Sequence, residues 1–501
     1  MIDARTPVIV GVGQASQRPG DPVAEHEPND LLAEAATTAL ADARSRTGLA
    51  VDTIAIADML SWRYPDPGAL LGRRLGMEPA RTVLTTVGGN SPQLLVNELA
   101  PEITAGNADV VLIGGAECVY TRWRAKREPR THLEWFVADD PPCAHVVGDP
   151  RPGSSQYEMA HLALAPTQVY PLFETALRHA SGRSVDEHQI AISQLWAGFS
   201  DVAAENPNAW TRTRYSAEDV RTVTPDNRMV TFPYPKRMCA NIDVDQAAAL
   251  LLCSYEAARD AGVADDRMVF PLSGADAHDH YFFSERLSLA ESPAIAATGA
   301  AVLAAAGLGV DDVARFDLYS CFPSAVQITM RALGLDGPAG GDARPLTVTG
   351  GLAYAGGPGN DYATHSIAAM VDACRTDPDS VGLVTALGWY VTKHSIGAYS
   401  GRPGNGFTRV DKEPLQAGVD VTPRREVAGS YAGPVTLEAT SVAFERDGAP
   451  GHAIVAGLTP DGRRVLANTR DPETMVSMTE TAWEGRTVTV ATDGDTNLVE
   501  A

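Results

Sequence analysis

The side chains of this sequence that are best placed for acid–base chemistry are two tyrosines near glycine-rich segments. Tyr319 follows an apolar run in the segment RFDLYSCF, where a predicted strand ends. A tyrosine hydroxyl donates a hydrogen bond, and it acts as a general acid or base when its pKa is displaced. Tyr354 lies in the segment GGLAYAGGP and is the weaker second candidate. The alternative for Tyr319 is structural, in which a buried tyrosine satisfies its hydroxyl locally.

Three further titratable side chains follow the same region of the sequence. His365 belongs to the helix predicted after the glycine-rich segment, and Lys393 and His394 follow the apolar run VGLVTALGWY. Imidazole and amine groups can move protons or contact a substrate. A core or surface histidine, and a solvated loop pair, are the simpler interpretations of these three residues.

An α/β fold must position these residues, because short apolar runs alternate with helical patterns along the chain. The segment TPVIVGVGQ predicts a buried strand, NDLLAEAATTALADA predicts an amphipathic helix, and ADVVLIGGAE predicts another buried strand. Strands that are apolar along their whole length are typical of a sheet covered on both faces. The order therefore predicts an α/β sheet with helices on both sides.

The domain organisation follows from where this pattern repeats and where it stops. The same order of elements begins again after residue 267, which predicts two duplicated halves, at 1–267 and 268–408. The first half contains a looser insertion at about 118–240, predicted to cover one end of the sheet. The segment 409–501 has short β-rich runs separated by turn signals such as TPDG. It predicts a separate small all-β domain, a barrel.

Composition excludes several classes of function. The chain has 40 basic and 63 acidic residues, and its formal net charge of −23 disfavours nucleic acid or an anionic membrane as a partner. Its apolar runs fall short of the roughly eighteen residues of a membrane span, and its start does not resemble a signal peptide. The six cysteines are scattered, which fits a reducing cytoplasm. The pair His278 and His280 has no further ligand cluster, so no metal site is predicted.

Four segments together resemble the catalytic blocks of thiolases, which make and break carbon–carbon bonds on acyl-CoA. The first is VGGNSPQLLVNELAPEITAGNADVVLIGGAE, in which Gly89 stands at the position of the nucleophilic cysteine. The second is YSCF, in which Tyr319 replaces the asparagine of NEAF or the histidine of HDCF. The third is GGP instead of GHP, with Gly357 in place of the histidine base. The fourth is ALG instead of CxG, with Ala386 in place of the second cysteine.

The resemblance covers about residues 1–408 and is closest to the sterol-carrier-protein type of thiolase. It implies two duplicated α/β halves in an α-β-α-β-α layering with a loop domain. An extra C-terminal domain follows here, for which a barrel of the oligonucleotide/oligosaccharide-binding type is expected. Thiolases are usually dimers or tetramers, with the strand before the nucleophile at the interface. A degenerate site relaxes this need, so both a homodimer and a monomer are consistent with the sequence.

The resemblance also suggests where CoA would bind. The thiolase insertion holds the phosphates of CoA with basic residues, and the segment YTRWRAKREPRTH is a basic cluster in an otherwise acidic chain. Its candidates for phosphate binding are Arg122, Arg124, Lys126 and Arg127, followed by Arg130. A solvated basic face is the alternative interpretation of this cluster.

Three functions are consistent with this pattern. The nucleophile, its base and the second acid–base residue are absent together, which leaves thiolysis without a mechanism. The leading hypothesis is therefore a cytoplasmic thiolase-like pseudoenzyme of acyl-CoA or lipid metabolism. It would use no cofactor, and would bind CoA or acyl-CoA or serve as a scaffold for a protein partner. The second is a retro-aldolase of the steroid side-chain type, which would use Tyr319 on a β-hydroxyacyl-CoA. The third, an acetyl-CoA acetyltransferase, requires a cysteine from elsewhere to reach the site.

Overall fold

The computed structural model describes residues 2–20, 26–127, 133–137, 139–335 and 343–500. Along the chain, its strands are β1 (Pro7–Ser16), β2 (Thr53–Ile56), β3 (Arg81–Thr85), β4 (Val110–Cys118), β5 (Val146–Val147), β6 (Met229–Phe232), β7 (Tyr234–Pro235), β8 (Asp245–Ser254), β9 (Phe270–His278), β10 (Val313–Asp317), β11 (Val381–Gly388), β12 (Lys393–Ser400), β13 (Thr408–Arg409), β14 (Gly433–Phe444), β15 (Pro450–Leu458), β16 (Arg464–Thr469), β17 (Thr487–Asp493) and β18 (Thr496–Val499). Its helices are α1 (Pro28–Asp42), α2 (Pro67–Leu75), α3 (Ser91–Ala105), α4 (Val119–Arg127), α5 (Gln156–Ala160), α6 (Pro166–Ser181), α7 (Val185–Glu205), α8 (Ala217–Arg221), α9 (Tyr255–Asp260), α10 (Pro293–Ala305), α11 (Pro323–Leu333), α12 (Tyr362–Thr376), α13 (Lys412–Asp420) and α14 (Pro472–Glu480).

The two halves of the body repeat one sheet topology. The first sheet has the order β1-β8-β4-β2-β3-β5, and the second has the order β9-β12-β11-β10, with β13 at the outer edge of β9. The carbonyl oxygens of Pro345 and Leu346 accept hydrogen bonds from the backbone of β10, so an extended segment lies where β3 lies in the first sheet. Because the strand order and the connections correspond, the predicted duplication of α/β halves is confirmed.

Two helices fill the space between the sheets. Helix α3 packs against β4 of the first sheet and β9, β11 and β12 of the second, and α12 packs against β1, β8, β11 and β12. Helices α1 and α10 cover the outer faces of the first and second sheets. Strands β4 and β8 are buried along their whole length, as strands covered on both faces must be. This is the α-β-α-β-α layering that the resemblance implied.

The C-terminal region forms a closed barrel of five strands. The ring runs β14-β15-β16-β18-β17 and returns to β14, with β16 and β18 parallel and the other pairs antiparallel. This agrees with the predicted barrel, but helix α14 is inserted between β16 and β17. Asp471 caps this helix by accepting a hydrogen bond from the Thr474 N–H at 2.8 Å, and Met475 and Met478 face the barrel core.

The loop domain connects the barrel to the body. Strand β6 comes from the insertion and pairs with β14, so the barrel sheet continues into residues of the first half. Helix α6 of the insertion packs against β14 on one side and α11 on the other. Helix α13, which the sequence places in the tail, packs on α10 and β9 of the second half. Among the described residues, no helix is long and apolar enough to cross a membrane.

Candidate functional site

A pocket of about 230 Å³ opens at the N-terminal turn of α3. Its wall combines the glycine turn before α3, the end of β10, the segment before α12 and the turn after β11. Most of the lining side chains are apolar or aromatic, among them Leu164, Pro166 and Trp389. Apolar pockets with a few polar groups are typical of small-molecule sites. Gly89 and Tyr319, two positions that the sequence analysis matched to thiolase blocks, line this pocket together.

Tyr319 occupies the space that a side chain at position 89 would need. A Cβ atom built on Gly89 would lie 2.8 Å from Cζ of Tyr319, closer still to its hydroxyl oxygen, and 2.6 Å from the carbonyl oxygen of Leu387. Since real Cβ atoms do not approach other atoms this closely, glycine is required at this position. The Tyr319 N–H donates to Thr385 Oγ1 at 3.0 Å, and the ring packs edge-on against Tyr362 with centroids 5.5 Å apart.

The hydroxyl of Tyr319 is a neutral hydrogen-bond donor that faces the pocket. The residue is 6% exposed, and within the described parts of the chain no recorded hydrogen bond involves this hydroxyl. Burial raises the pKa of Tyr319 far above its usual range, and the nearby Cys321 adds to this effect. The group is therefore protonated at neutral pH and can donate to a ligand oxygen.

Cys321 is the thiol that lines the pocket. Burial raises its pKa to about 12. Because the thiolate is the reactive form, this thiol is a poor nucleophile at neutral pH. The Tyr170 hydroxyl donates to the carbonyl oxygen of Trp389 at 2.8 Å, which ties α6 to the turn after β11.

The segment before α12 forms the opposite wall. Asn360 accepts a hydrogen bond from the Gly88 N–H at 2.9 Å and donates to the carbonyl oxygen of Asp58 at 2.7 Å, so it joins the two glycine-rich turns. Gly357 and Ala386 lie outside the pocket lining. A Cβ built on Gly357 would have the carbonyl oxygen of Asn241 as its nearest neighbour, at 3.2 Å, so the space there is nearly sufficient for a side chain.

Glu117 supports the same wall and was missed by the sequence interpretation. Its carboxylate accepts hydrogen bonds from the N–H groups of Leu60 and Ser61, both at 2.7 Å. A Cβ built on Gly359, whose φ is +50°, would lie 2.9 Å from Cδ of Glu117, so glycine permits this close approach. Burial raises the pKa of Glu117 to about 7, and Asp58 contributes. A carboxylate within the otherwise apolar buried strand β4 was the available signal.

The secondary candidates lie around the pocket rather than in its lining. Tyr354 is buried beside Tyr215, with ring centroids 5.8 Å apart, and its hydroxyl has no hydrogen-bond partner among the described residues. His365 Nδ1 donates a hydrogen bond to Gln14 Oε1 at 2.7 Å, and burial lowers the pKa of His365 to about 3, so the imidazole is neutral. It lies in α12, as predicted for the helix after the glycine-rich segment.

Lys393 and His394 both lie in β12, where they are buried and point to opposite faces. Lys393 lies directly behind Gly88, and its ammonium donates to the carbonyl oxygens of Val87 at 2.5 Å and Asp149 at 3.2 Å. Burial lowers the pKa of Lys393 to about 8. His394 instead bonds Asp279 at 3.1 Å, away from the pocket. A solvated loop pair is therefore not what the structure contains.

The predicted basic cluster lies on α4. Arg122 donates to the carbonyl oxygen of Ser61 at 2.9 Å, directly beside the rim residue Leu60. Lys126 and Arg127 are exposed, and Arg124 is half-buried. Arg130 lies outside the described residues. Within the described ranges, no group of three or more histidine, cysteine, aspartate or glutamate side chains is arranged to hold a metal ion.

Comparisons with known proteins agree on the fold. A family model, the thiolase-like protein type 1 additional C-terminal domain, matches residues 414–495. The crystal structure of a monomeric SCP2-thiolase-like protein type 1 from Mycobacterium smegmatis is 35% identical, with a TM-score of 0.84 and 100% of each chain covered. None of the curated proteins matches the sequence.

More distant structures match about four fifths of the chain. An Ltp2–ChsH2(DUF35) aldolase is 19% identical, with a TM-score of 0.59, and the match covers 80% of this chain and 99% of that chain. The acetyl-CoA acetyltransferase from Syntrophomonas wolfei is 15% identical, with a TM-score of 0.56, 80% of this chain covered and 100% of the other. These two likenesses establish the thiolase fold and nothing about activity.

Proposed function

The chain belongs to the SCP2-thiolase-like proteins of type 1, and on this premise we propose that it binds CoA esters of apolar acyl groups without performing thiolysis. The observation that carries the proposal is the contact between Gly89 and Tyr319. Where a thiolase places its nucleophile, this chain has no side chain, and the Tyr319 ring fills the space. The same contact leaves a hydrogen-bond donor at the position where an acyl group would react.

The pocket chemistry supports binding of a thioester. Leu164, Pro166 and Trp389 offer an apolar surface for the acyl chain. The Tyr319 hydroxyl and the N-terminal turn of α3 offer donors to the thioester oxygen, and the positive end of the helix dipole favours partial negative charge there. We assign the phosphates of CoA to the basic residues of α4, beside the rim. Those residues are Arg122, Arg124, Lys126 and Arg127.

The acetyltransferase alternative lacks a nucleophile. Cys321 is the cysteine that lines the pocket, and a thiol with a pKa of about 12 is almost entirely protonated at neutral pH. Incubation with acetoacetyl-CoA and CoA is expected to give no acetyl-CoA above the buffer background. Thiolytic activity that is lost in a Cys321→Ser variant would overturn this part of the proposal.

Retro-aldol cleavage of a β-hydroxyacyl-CoA is the second candidate function, favoured by the free Tyr319 hydroxyl. In that reaction the β-hydroxyl gives its proton to water in the open pocket and becomes a carbonyl as the Cα–Cβ bond breaks. The electron pair forms a thioester enolate, which takes a proton at Cα to give a shortened acyl-CoA. Tyr319 is protonated and suits the donor role, whereas the described pocket tyrosines and Cys321 all have raised pKa values and cannot serve as the base at neutral pH.

We propose that the chain is a monomer. The outer edge of β3, the strand before the glycine turn, is occupied by the segment that carries β5: the Leu84 N–H donates to the His145 carbonyl at 2.9 Å and the Thr86 N–H to that of Val147 at 2.8 Å. An edge that is already paired cannot form a continuous sheet with a second copy. Light scattering during size-exclusion chromatography is expected to give the mass of one chain, and a dimer mass would contradict the proposal.

Calorimetric titration tests the CoA-ester proposal. Purified protein is titrated with CoA, a short-chain acyl-CoA and a steroid acyl-CoA, and saturable binding of the esters is expected. Lys126→Ala combined with Arg127→Ala should weaken binding about tenfold at low salt, because two exposed charges near the rim are lost. Arg402→Ala combined with Lys412→Ala removes the same charge elsewhere and should leave affinity unchanged. Absence of binding at millimolar ligand refutes the proposal.

A cleavage assay tests the second candidate. β-Hydroxyacyl-CoAs are incubated with the protein, and shortened acyl-CoA is measured by chromatography. Tyr319→Phe should abolish any cleavage that is seen. Cleavage that persists in this variant would remove Tyr319 from the mechanism, and no cleavage in the wild type would leave binding as the function.

A further inference from the structure

The pocket wall contains a turn whose backbone is strained. Residues 389–392 join β11 to β12, and Trp389 and Tyr390 face the pocket. Trp389 has a φ of +59° and Val391 a φ of +51°, in the left-handed region that side chains other than glycine rarely adopt. Such conformations persist where the surrounding structure fixes them, and they cluster at functional sites. The groups that hold this turn are therefore informative.

Two buried side chains hold the turn from outside. The Tyr170 hydroxyl, on α6, donates to the carbonyl oxygen of Trp389 at 2.8 Å and accepts from the Val391 N–H at 3.4 Å. The Arg286 guanidinium donates to the carbonyl oxygen of Tyr390 at 2.8 Å and to Thr392 Oγ1 at 2.8 Å. Together they satisfy the polar groups that a turn in this conformation exposes.

The barrel holds the segment that carries Arg286. Arg464 lies at the start of β16 and is fully buried. Its guanidinium leaves the barrel and donates to the carbonyl oxygens of Ser284, at 3.2 Å, and Arg286. On its other side it pairs with Glu438 of β14 at 2.9 Å. A buried guanidinium with carbonyl and carboxylate partners fixes the geometry of all of them, because each is left without a partner if the segments separate.

The barrel also holds the helix that carries Tyr170. Arg178 of α6 forms a buried ion pair with Glu484 of the barrel. Thr175 of α6 donates to the carbonyl oxygen of Thr440 at 3.0 Å and accepts from the Thr440 N–H at 2.9 Å. Helix α6 thus contacts the barrel with one face, while Tyr170 reaches the turn from the other. The two supports of the strained turn are both anchored in the same C-terminal domain.

We propose that the C-terminal barrel positions the pocket wall, with Arg464 as its principal positioning residue. The barrel contributes no residue to the pocket lining among the described residues, and it acts through Arg286 and α6. Loss of the Arg464 contacts loosens the segment 283–287, which keeps its hydrogen bonds to Arg425, and with it one of the two supports of the turn. The consequence for CoA-ester affinity rests on the proposed function, whereas the effect on the turn does not.

Hydrogen exchange in the full-length protein without ligand tests this proposal. Arg464→Met keeps most of the side-chain volume and removes the donors. It should raise the exchange rate of the amides at 389–392 at least about tenfold, while β15 keeps its protection. Arg463→Met is the matched control, because Arg463 is half-buried and pairs with Asp461. It should leave exchange in the turn unchanged.

Two outcomes would overturn the proposal. The first is a folded Arg464→Met protein whose exchange at 389–392 equals that of the wild type. If Arg464→Met does not fold, Arg464→Lys is the second variant, because its ammonium replaces part of the hydrogen bonding. An intermediate exchange rate at 389–392 supports the proposal, and a wild-type rate overturns it.

The positioning role and the proposed function can fail separately. If Arg464→Met loosens the turn but the wild type binds no CoA ester, the proposed function fails and the positioning role stands. If the wild type binds CoA esters, Arg464→Met should lower its affinity for them about tenfold.

Discussion

The two glycine-rich turns that precede the central helices occupy equivalent places in the duplicated halves, yet they are supported in different ways. The first turn, residues 88–90 before α3, contacts the uncharged Tyr319. The second turn, residues 356–361 before α12, contacts the buried carboxylate of Glu117 and carries Asp361, whose pKa burial raises strongly. The space beside Gly89, the position predicted to match the thiolase nucleophile, is filled by a neighbour, whereas the space beside Gly357, predicted to match the histidine base, is nearly open. The glycines at these two predicted positions therefore differ in how tightly their surroundings pack.

Adding one methyl group to each turn tests the difference in packing most directly. Gly89→Ala should lower the free energy of unfolding by about 3 kcal/mol, because the Leu387 carbonyl and the Tyr319 ring must both move. Gly357→Ala is the matched variant, and its effect should stay below about 1 kcal/mol, since the nearest atom is 3.2 Å away. Thermal unfolding of both variants measures the difference. Equal effects would mean that the two turns are packed alike.

The buried carboxyl group of Glu117, which contacts the second turn, should make the stability of the protein depend on pH. The pKa of Glu117 rises from 4.5 to about 7 on folding, so its contribution to stability is fully present below pH 4.5 and is lost as the pH rises through 7. This corresponds to about 2–3 kcal/mol between pH 5 and pH 8. Glu117→Gln should reduce the slope of unfolding free energy against pH in this range, while Asp361, whose pKa burial also raises, keeps part of the slope. Glu34→Gln, on the exposed face of α1, should leave the profile as in the wild type, and parallel profiles for both variants would contradict the assignment.

The smallest effect on stability is expected for loss of the Tyr319 hydroxyl, the hydrogen-bond donor beside the first turn. Tyr319→Phe should change stability by less than about 0.5 kcal/mol, because no hydrogen bond of the hydroxyl is lost, and it should weaken CoA-ester binding about three- to tenfold. Tyr354→Phe is the control, since its hydroxyl is also without a partner among the described residues but lies outside the pocket. Calorimetric titration separates the two. Equal losses of affinity would show that the pocket hydroxyl has no special role.

Local sequence patterns were sufficient for most of the fold. Apolar runs predicted the buried strands, and the segments PVTLEATSVAFE, HAIVAGL, RRVLANT and TVTVAT all form barrel strands. Helix α14 was missed because the segment DPETMVSMTE contributes just two buried apolar residues, although its Asp–Pro start is typical of a capped helix. The interpretation of residues 393 and 394 as a loop missed β12, whose polar residues are buried by their neighbours.

Part of the candidate site could be predicted from the sequence. The thiolase pattern located Gly89 and Tyr319, but their contact joins residues 230 positions apart, and no local pattern contains it. Glu117 belonged to a segment whose pattern was used for the strand alone. The supports of the strained turn were beyond prediction for the same reason, because Arg464 and Arg286 meet through the packing of two domains.

The pairing of β6 with β14 has a consequence for synthesis of the chain. Domains generally fold as they leave the ribosome, the N-terminal ones first. Here Phe232 of β6 pairs with Val442 of β14, so an edge strand made early waits for a partner made more than two hundred residues later. Until then its backbone groups are open to incorrect pairing, as in any exposed edge strand. A nascent chain that stops before residue 433 therefore carries a strand edge without the partner that β14 supplies.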